Sequence, residues 1–157
     1  MKFGILLLMI CGLLAGCVAP TFETIADGDP AQIVVADAKQ ILLELPKSAV
    51  TDVVTQDSQV YLCDGYVVWV QTMDGGDFNG TIQELSGFTR DQLMVMESRE
   101  GDFRRYDWIW TAMSEEGELV FRAAVLDDGQ YHYCLTAMAE ENSTADWNDV
   151  FASFRIA

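Results

Sequence analysis

Residues 104–138 read RRYDWIWTAMSEEGELVFRAAVLDDGQYHYCLTAM, and they decide the fold. Arg104 to Met113, Glu118 to Leu126 and Tyr131 to Met138 are rich in aromatic and β-branched residues, which suit a pleated, half-buried surface. Glu115-Glu116-Gly117 and Asp127-Asp128-Gly129 separate them. Connections this short join only antiparallel neighbours, so the stretch predicts a three-stranded meander. On its middle strand Leu119, Phe121, Ala123 and Val125 alternate with Glu118, Val120 and Arg122, which makes one face apolar. That face needs a cover, and the last helix is expected to supply it. Ser143 and Asp146 fit a capping box, and Trp147, Val150, Phe151 and Phe154 recur at helical spacing.

Working back toward the N-terminus, Val60 to Cys63 and Tyr66 to Met73 flank Asp64-Gly65, a strong hairpin signal that predicts a type I′ turn. Asp74-Gly75-Gly76-Asp77 breaks the second strand. Ile82 and Leu85, followed by Gly87, predict a turn or two of helix, and Gln92 to Ser98 predicts another short strand. Ile33 to Leu45 has two readings. Asp29-Pro30 can cap a helix there, or Gln40 to Leu45 can form a strand stopped by Pro46, which is the reading adopted. The sum is an α+β domain: an antiparallel sheet of roughly five to seven strands with a C-terminal helix packed on it.

Composition narrows the function classes. The chain has 157 residues, half of them hydrophobic, with 9 Lys and Arg against 25 Asp and Glu. A formal charge of −16 leaves no cationic surplus to displace phosphate counterions, which argues against a nucleic-acid partner. A chain this apolar is not expected to be disordered. The length suits one globular domain, assigned to residues 32–157, behind a Pro- and Gly-containing tether over 17–31.

Residues 1–16 read as a signal peptide in which an apolar run, Phe3 to Leu14, follows Met1-Lys2 and is too short to span a bilayer of about 30 Å comfortably. The run ends in Leu14-Ala15-Gly16-Cys17. This resembles the lipobox of bacterial lipoproteins. The resemblance implies cleavage before Cys17, diacylglycerol on its sulfur, and a partner in the membrane itself. Two acyl chains anchor stably where one does not. The implied location is the extracytoplasmic face of the cell membrane, or the outer membrane of a cell with two. Losing Lys2 with the leader takes the formal charge from −16 to −17.

Cys63 and Cys134 are then the cysteines left in the domain. Disulfides persist outside the cytoplasm, so the expectation is a Cys63–Cys134 bridge closing a loop of about 70 residues, worth about 4 kcal/mol. Two buried free thiols are the alternative. The order of elements, from Leu45-Pro46 through Thr81 to Gly87 to the ending Ser153-Phe154, resembles the PsbP-like fold. Arg105-Tyr106-Asp107-Trp108 and the run Leu126 to Tyr133 resemble small lipoproteins of Gram-positive gut bacteria. Neither group brings a catalytic residue to transfer, and likeness of fold does not carry function.

The search for chemistry finds little. His132 is the one histidine, and Cys134 shares its strand face, but two residues along a strand is about 6.5–7 Å and no nucleophile elbow is present. Asp74, Asp77 and Asn79 only superficially fit a calcium loop, since essential ligands of that loop are missing. Tyr106, Trp108 and Trp110 alternate onto one strand face; they are either core or a platform on which sugar rings stack. Arg104-Arg105 can clamp an anion or pair with neighbouring acids. No catalytic residue, metal site or cofactor is assigned. The expected function is a lipid-anchored envelope accessory or interaction protein with an envelope protein as partner. The alternative is a small-ligand or glycan-binding lipoprotein using an aromatic-lined groove.

Overall fold

The computed structural model describes residues 37–143 and 146–157; the expected leader, Cys17, the whole expected tether and the first residues of the expected domain lie outside the described residues. The elements are β1 (Ile41–Leu42), β2 (Val50–Val54), β3 (Ser58–Cys63), β4 (Tyr66–Asp74), α1 (Phe78–Ser86), β5 (Met96–Glu100), β6 (Phe103–Ser114), β7 (Gly117–Asp127), β8 (Tyr131–Glu140), α2 (Asn148–Ser153) and β9 (Arg155–Ile156). Seven strands form one antiparallel sheet in the order β2-β3-β4-β8-β7-β6-β5, and β1 pairs with β9 in a separate two-stranded ribbon. The domain is α+β, as the meander and the terminal helix predict.

The hairpin at Asp64-Gly65 forms, with Cys63 opposite Tyr66. Only Gly65 takes a positive φ, 80°, so the turn is not the expected type I′, which needs both residues there. Gln40 to Leu45 contributes a strand of two residues that pairs with the chain's end, Ile41 opposite Ile156. The strand expected over Gln92 to Ser98 starts later, at Met96. Gln92 instead ends a single 3-10 turn, where its side-chain carbonyl accepts from the Thr89 backbone N–H at 2.9 Å and the Thr89 hydroxyl at 3.0 Å.

The sheet is apolar on both sides, which the alternation on β7 only half reveals. Even positions of β7 are buried as well: Ala124 and Leu126 pack with Val68, Val70, Tyr133 and Leu135 against Val150, Phe151 and Phe154. The C-terminal helix therefore covers this face and not the Ala123–Val125 face assigned to it. Arg105 fastens it, donating from Nη2 to the Phe151 carbonyl at 3.1 Å while Nε binds Asp107 at 2.8 Å. The expected capping box is split. Asp146 accepts from the Asn148 N–H at 3.0 Å, whereas the Ser143 hydroxyl donates to the Gly65 carbonyl.

The opposite face is covered by α1 and the segment after it. Ile82 is fully buried with Tyr106, Trp108, Ala123, Val125 and Cys134, flanked by Phe78, Leu85, Phe88, Leu93 and Val95. Asp77 caps α1 through the Asn79 N–H at 3.1 Å, and the Gly87 N–H closes it onto the Gln83 carbonyl. Gly75 lets the chain leaving β4 pass close to the β7–β8 turn. Its N–H bonds the Gln130 carbonyl at 2.8 Å, and a Cβ there would lie 2.7 Å from that backbone.

The Cys63–Cys134 bridge is not formed; both thiols are free. Cys63 packs with the α2-side core and Cys134 with the α1-side core, so the two side chains leave the sheet from opposite faces. β4 also stands between their strands. No disulfide can pass through a sheet, whose Cβ vectors diverge from the two sides.

Candidate functional site

Between α1 and the ends of β2, β3 and β4 lies a cleft of about 970 Å³. The β2–β3 turn supplies Asp57 to its wall, β3 supplies Ser58, β4 supplies Gln71, Met73 and Asp74, and α1 with its cap supplies Asp77, Thr81 and Glu84. Four carboxylates and no lysine or arginine line it. Its size is within the ordinary range of small-molecule sites, but its walls are more polar than those sites usually are.

His132 sits behind this wall, 1% exposed. Its Nδ1 lies 2.6 Å from the Thr81 hydroxyl, and its Nε2 lies 3.8 Å from Asp127 Oδ1. Burial pulls the imidazole pKa below its usual value, against the opposing pull of Asp127, Asp128 and Asp77. In a neutral ring whose Nδ1 accepts a hydrogen bond donated by the Thr81 hydroxyl, Nε2–H is left toward Asp127. Phe78 meets the same ring edge-on at 5.8 Å. The arrangement bolts α1 to β8 through one buried hydrogen bond. Thr81 lies 51 residues from His132 in the chain, with no motif linking them.

Cys134 does share the strand face of His132, as alternation predicts, but the thiol turns to the Met73 thioether at 3.7 Å and to the His132 carbonyl at 3.6 Å. Burial raises its pKa, with Glu84 adding to the rise, so it stays a thiol. Cys63 is held up at about 11, mainly by burial.

The proposed sugar platform is absent from the surface. Tyr106, Trp108 and Trp110 are 4%, 1% and 7% exposed. Phe78 stacks on Tyr106 with centroids 3.7 Å apart, and Phe121 stacks on Trp110 at 5.0 Å. The strand periodicity places the three rings on one face correctly. What buries them is the segment 78–95, whose return over β6 no local pattern announces. Of the basic pair, Arg105 is taken up by Glu100, Asp107 and Phe151, and Arg104 stays exposed. Asp77 is spent as the α1 cap, and the Asp74-to-Asn79 turn serves as the helix entry.

No family model matches the chain, and no curated protein matches it. A crystal structure of a protein from Bacteroides thetaiotaomicron resembles it with a TM-score of 0.53 at 11% identity, over 74% of this chain. This chain spans 45% of the length of that one. Likeness at such identity is likeness of fold alone.

Proposed function

We propose that the chain is a lipid-anchored, extracytoplasmic interaction protein of a bacterial envelope, without catalytic activity of its own. One observation carries the reading, the sequence Leu14-Ala15-Gly16-Cys17 at the end of a short apolar leader. The acidic domain supports it, because anionic headgroups and wall polymers repel such a surface and only the lipid would hold it in place. The non-catalytic part is supported by His132, which is closed off and committed to Thr81, and by Cys134, which faces Met73. The PsbP-like resemblance rests on the order of elements.

The test is labelled palmitate incorporation and membrane fractionation of the full chain beside Cys17→Ser. Label in the parent and soluble or unprocessed protein in the variant are expected. Equal membrane retention and processing of both would sink the anchor. Hydrolase panels on the parent and on His132→Ala test the rest, and turnover lost in the variant would overturn the non-catalytic reading.

A second reading places a small polar cation in the acidic cleft, favoured by its volume and four carboxylates. It replaces the aromatic groove of the glycan hypothesis, whose three rings are buried. Calorimetric titration with a polyamine tests it, with binding expected to weaken in Glu84→Gln. No heat at millimolar polyamine removes this reading.

A further inference from the structure

The sheet ends at β5, whose outer edge pairs with no strand among the described residues, and all five residues from Met96 to Glu100 are exposed. An open edge is a template for another strand, and proteins commonly block it with charge. Here the charges have an order. Glu97 and Arg99 point to the same side, one residue either side of Ser98. Two β5 strands laid antiparallel about Ser98 put Glu97 of each copy opposite Arg99 of the other. Parallel pairing in register would instead set Glu97 beside Glu97 and Arg99 beside Arg99. The charges therefore select one arrangement and oppose another.

The monomer satisfies this pattern only in part, and Arg99 is the charge it leaves over. Arg99 is directly opposite Arg104 on β6, a like-charge pair, and neither makes an ion pair among the described residues. Like charges opposite each other in a sheet are destabilising. Glu97 makes one ion pair, with Arg90 at 3.9 Å and both side chains about half exposed, and it also attracts Arg104, which bonds to Tyr106 and is drawn to Asp127 as well. Glu100 is already held by Arg105 of its own chain at 3.0 Å, so it presents no bare charge across the edge.

An apolar surface adjoins the same edge. Met94, Met96, Ile109 and Met113 are 86%, 63%, 59% and 79% exposed. Met96 is opposite Asp107, Ile109 follows on the same side of β6 just past the end of β5, and Met113 stands farther off, opposite Glu118. Methionine is a flexible, adaptable side chain frequent at contact surfaces. We infer that β5 is a homodimer edge: a second copy of this chain pairs with it antiparallel about Ser98, the Glu97–Arg99 pairs set the register, and Met94 and Met96 flank the seam.

The experiment uses the full chain extracted in mild detergent. Ser98→Cys is oxidised gently, with Gln83→Cys on the exposed side of α1 as control for chance encounters in a micelle. A covalent dimer in the first and little in the second are expected. In the Ser98→Cys background, Glu97→Arg or Arg99→Glu alone should cut cross-linking by about tenfold, since each turns two attractive cross-strand pairs repulsive. An equal mixture of these two variants should restore it, as should the double reversal within one chain. Rescue by mixing also shows that both variants fold. Cross-linking no faster than the control overturns the inference, and so does indifference to charge reversal or failure of the mixture. Light scattering on the unmodified chain that gives one copy at tens of micromolar also counts against it.

Discussion

On its α2 side the sheet meets Val150, Phe151 and Phe154 together with Ile41, Leu43 and Leu45, all of them buried. On its α1 side the cover is partial. α1 seals Trp108, Ala123 and Cys134, but toward the other end Val60, Leu62, Trp69 and Phe121 are only partly buried around Val67, Leu119 and Met138. The α2 side also has polar fasteners from distant segments, Arg105 to the Phe151 carbonyl and Lys39 to Asp128 at 3.1 Å. The α1 side has one buried fastener, Thr81 to His132. The difference teaches that stability and access are divided between the faces: one is a closed core, the other is covered at one end and keeps a cleft beside its helix.

The largest expected effect comes from emptying the closed face. Phe151→Ala should cost about 3–5 kcal/mol in urea unfolding, whereas Phe121→Ala, only partly buried on the other face, should cost about 1–2 kcal/mol. Equal losses would break the comparison. Next is the single fastener. Thr81→Val keeps the shape but orphans the buried imidazole nitrogen, and should cost about 1–3 kcal/mol. Hydrogen exchange should rise in α1 before it rises in α2; uniform change would show that the bond does not hold the helix.

A smaller effect is set by pH. His132 has a lowered pKa in the folded state, so below its ordinary value of 6.5 the unfolded chain binds more protons than the folded one. Its contribution to stability is complete above that pH and is lost as pH falls toward the folded pKa. Melting curves at pH 7.5 and 5.5 should show the parent losing more on acidification than His132→Asn, and parallel losses would contradict the buried neutral ring. The smallest effect expected is none. Reductant should leave the melting temperature unchanged, and Cys134 should react with thiol reagents only on unfolding. A reductant-dependent shift would restore the disulfide.

Much of the fold was legible because its signals are local. The β6–β8 meander, the Asp64-Gly65 hairpin and the Gly87 stop are each written within a few residues, and strand alternation put Tyr106, Trp108 and Trp110 on one face. The candidate site was not legible. Its wall joins Asp57, Gln71 and Thr81 from three elements, and the partner of His132 is a threonine in a helix that sequence shows only as a spacing of Ile82 and Leu85.

The sequence by itself determined the β3–β4 hairpin, the β6–β8 meander, their antiparallel succession and the acidic character, since hydrophobic period, turn residues and charge act over short range, whereas β2 and β9 carried no such signal. It also carries the Cys17 motif. Only the tertiary structure decided which helix covers which face, that Cys63 and Cys134 stand on opposite sides, and that the tryptophans are core. Those outcomes depend on long-range packing of a sheet apolar on both faces, where either helix satisfies the same pattern and only the path of the chain chooses between them.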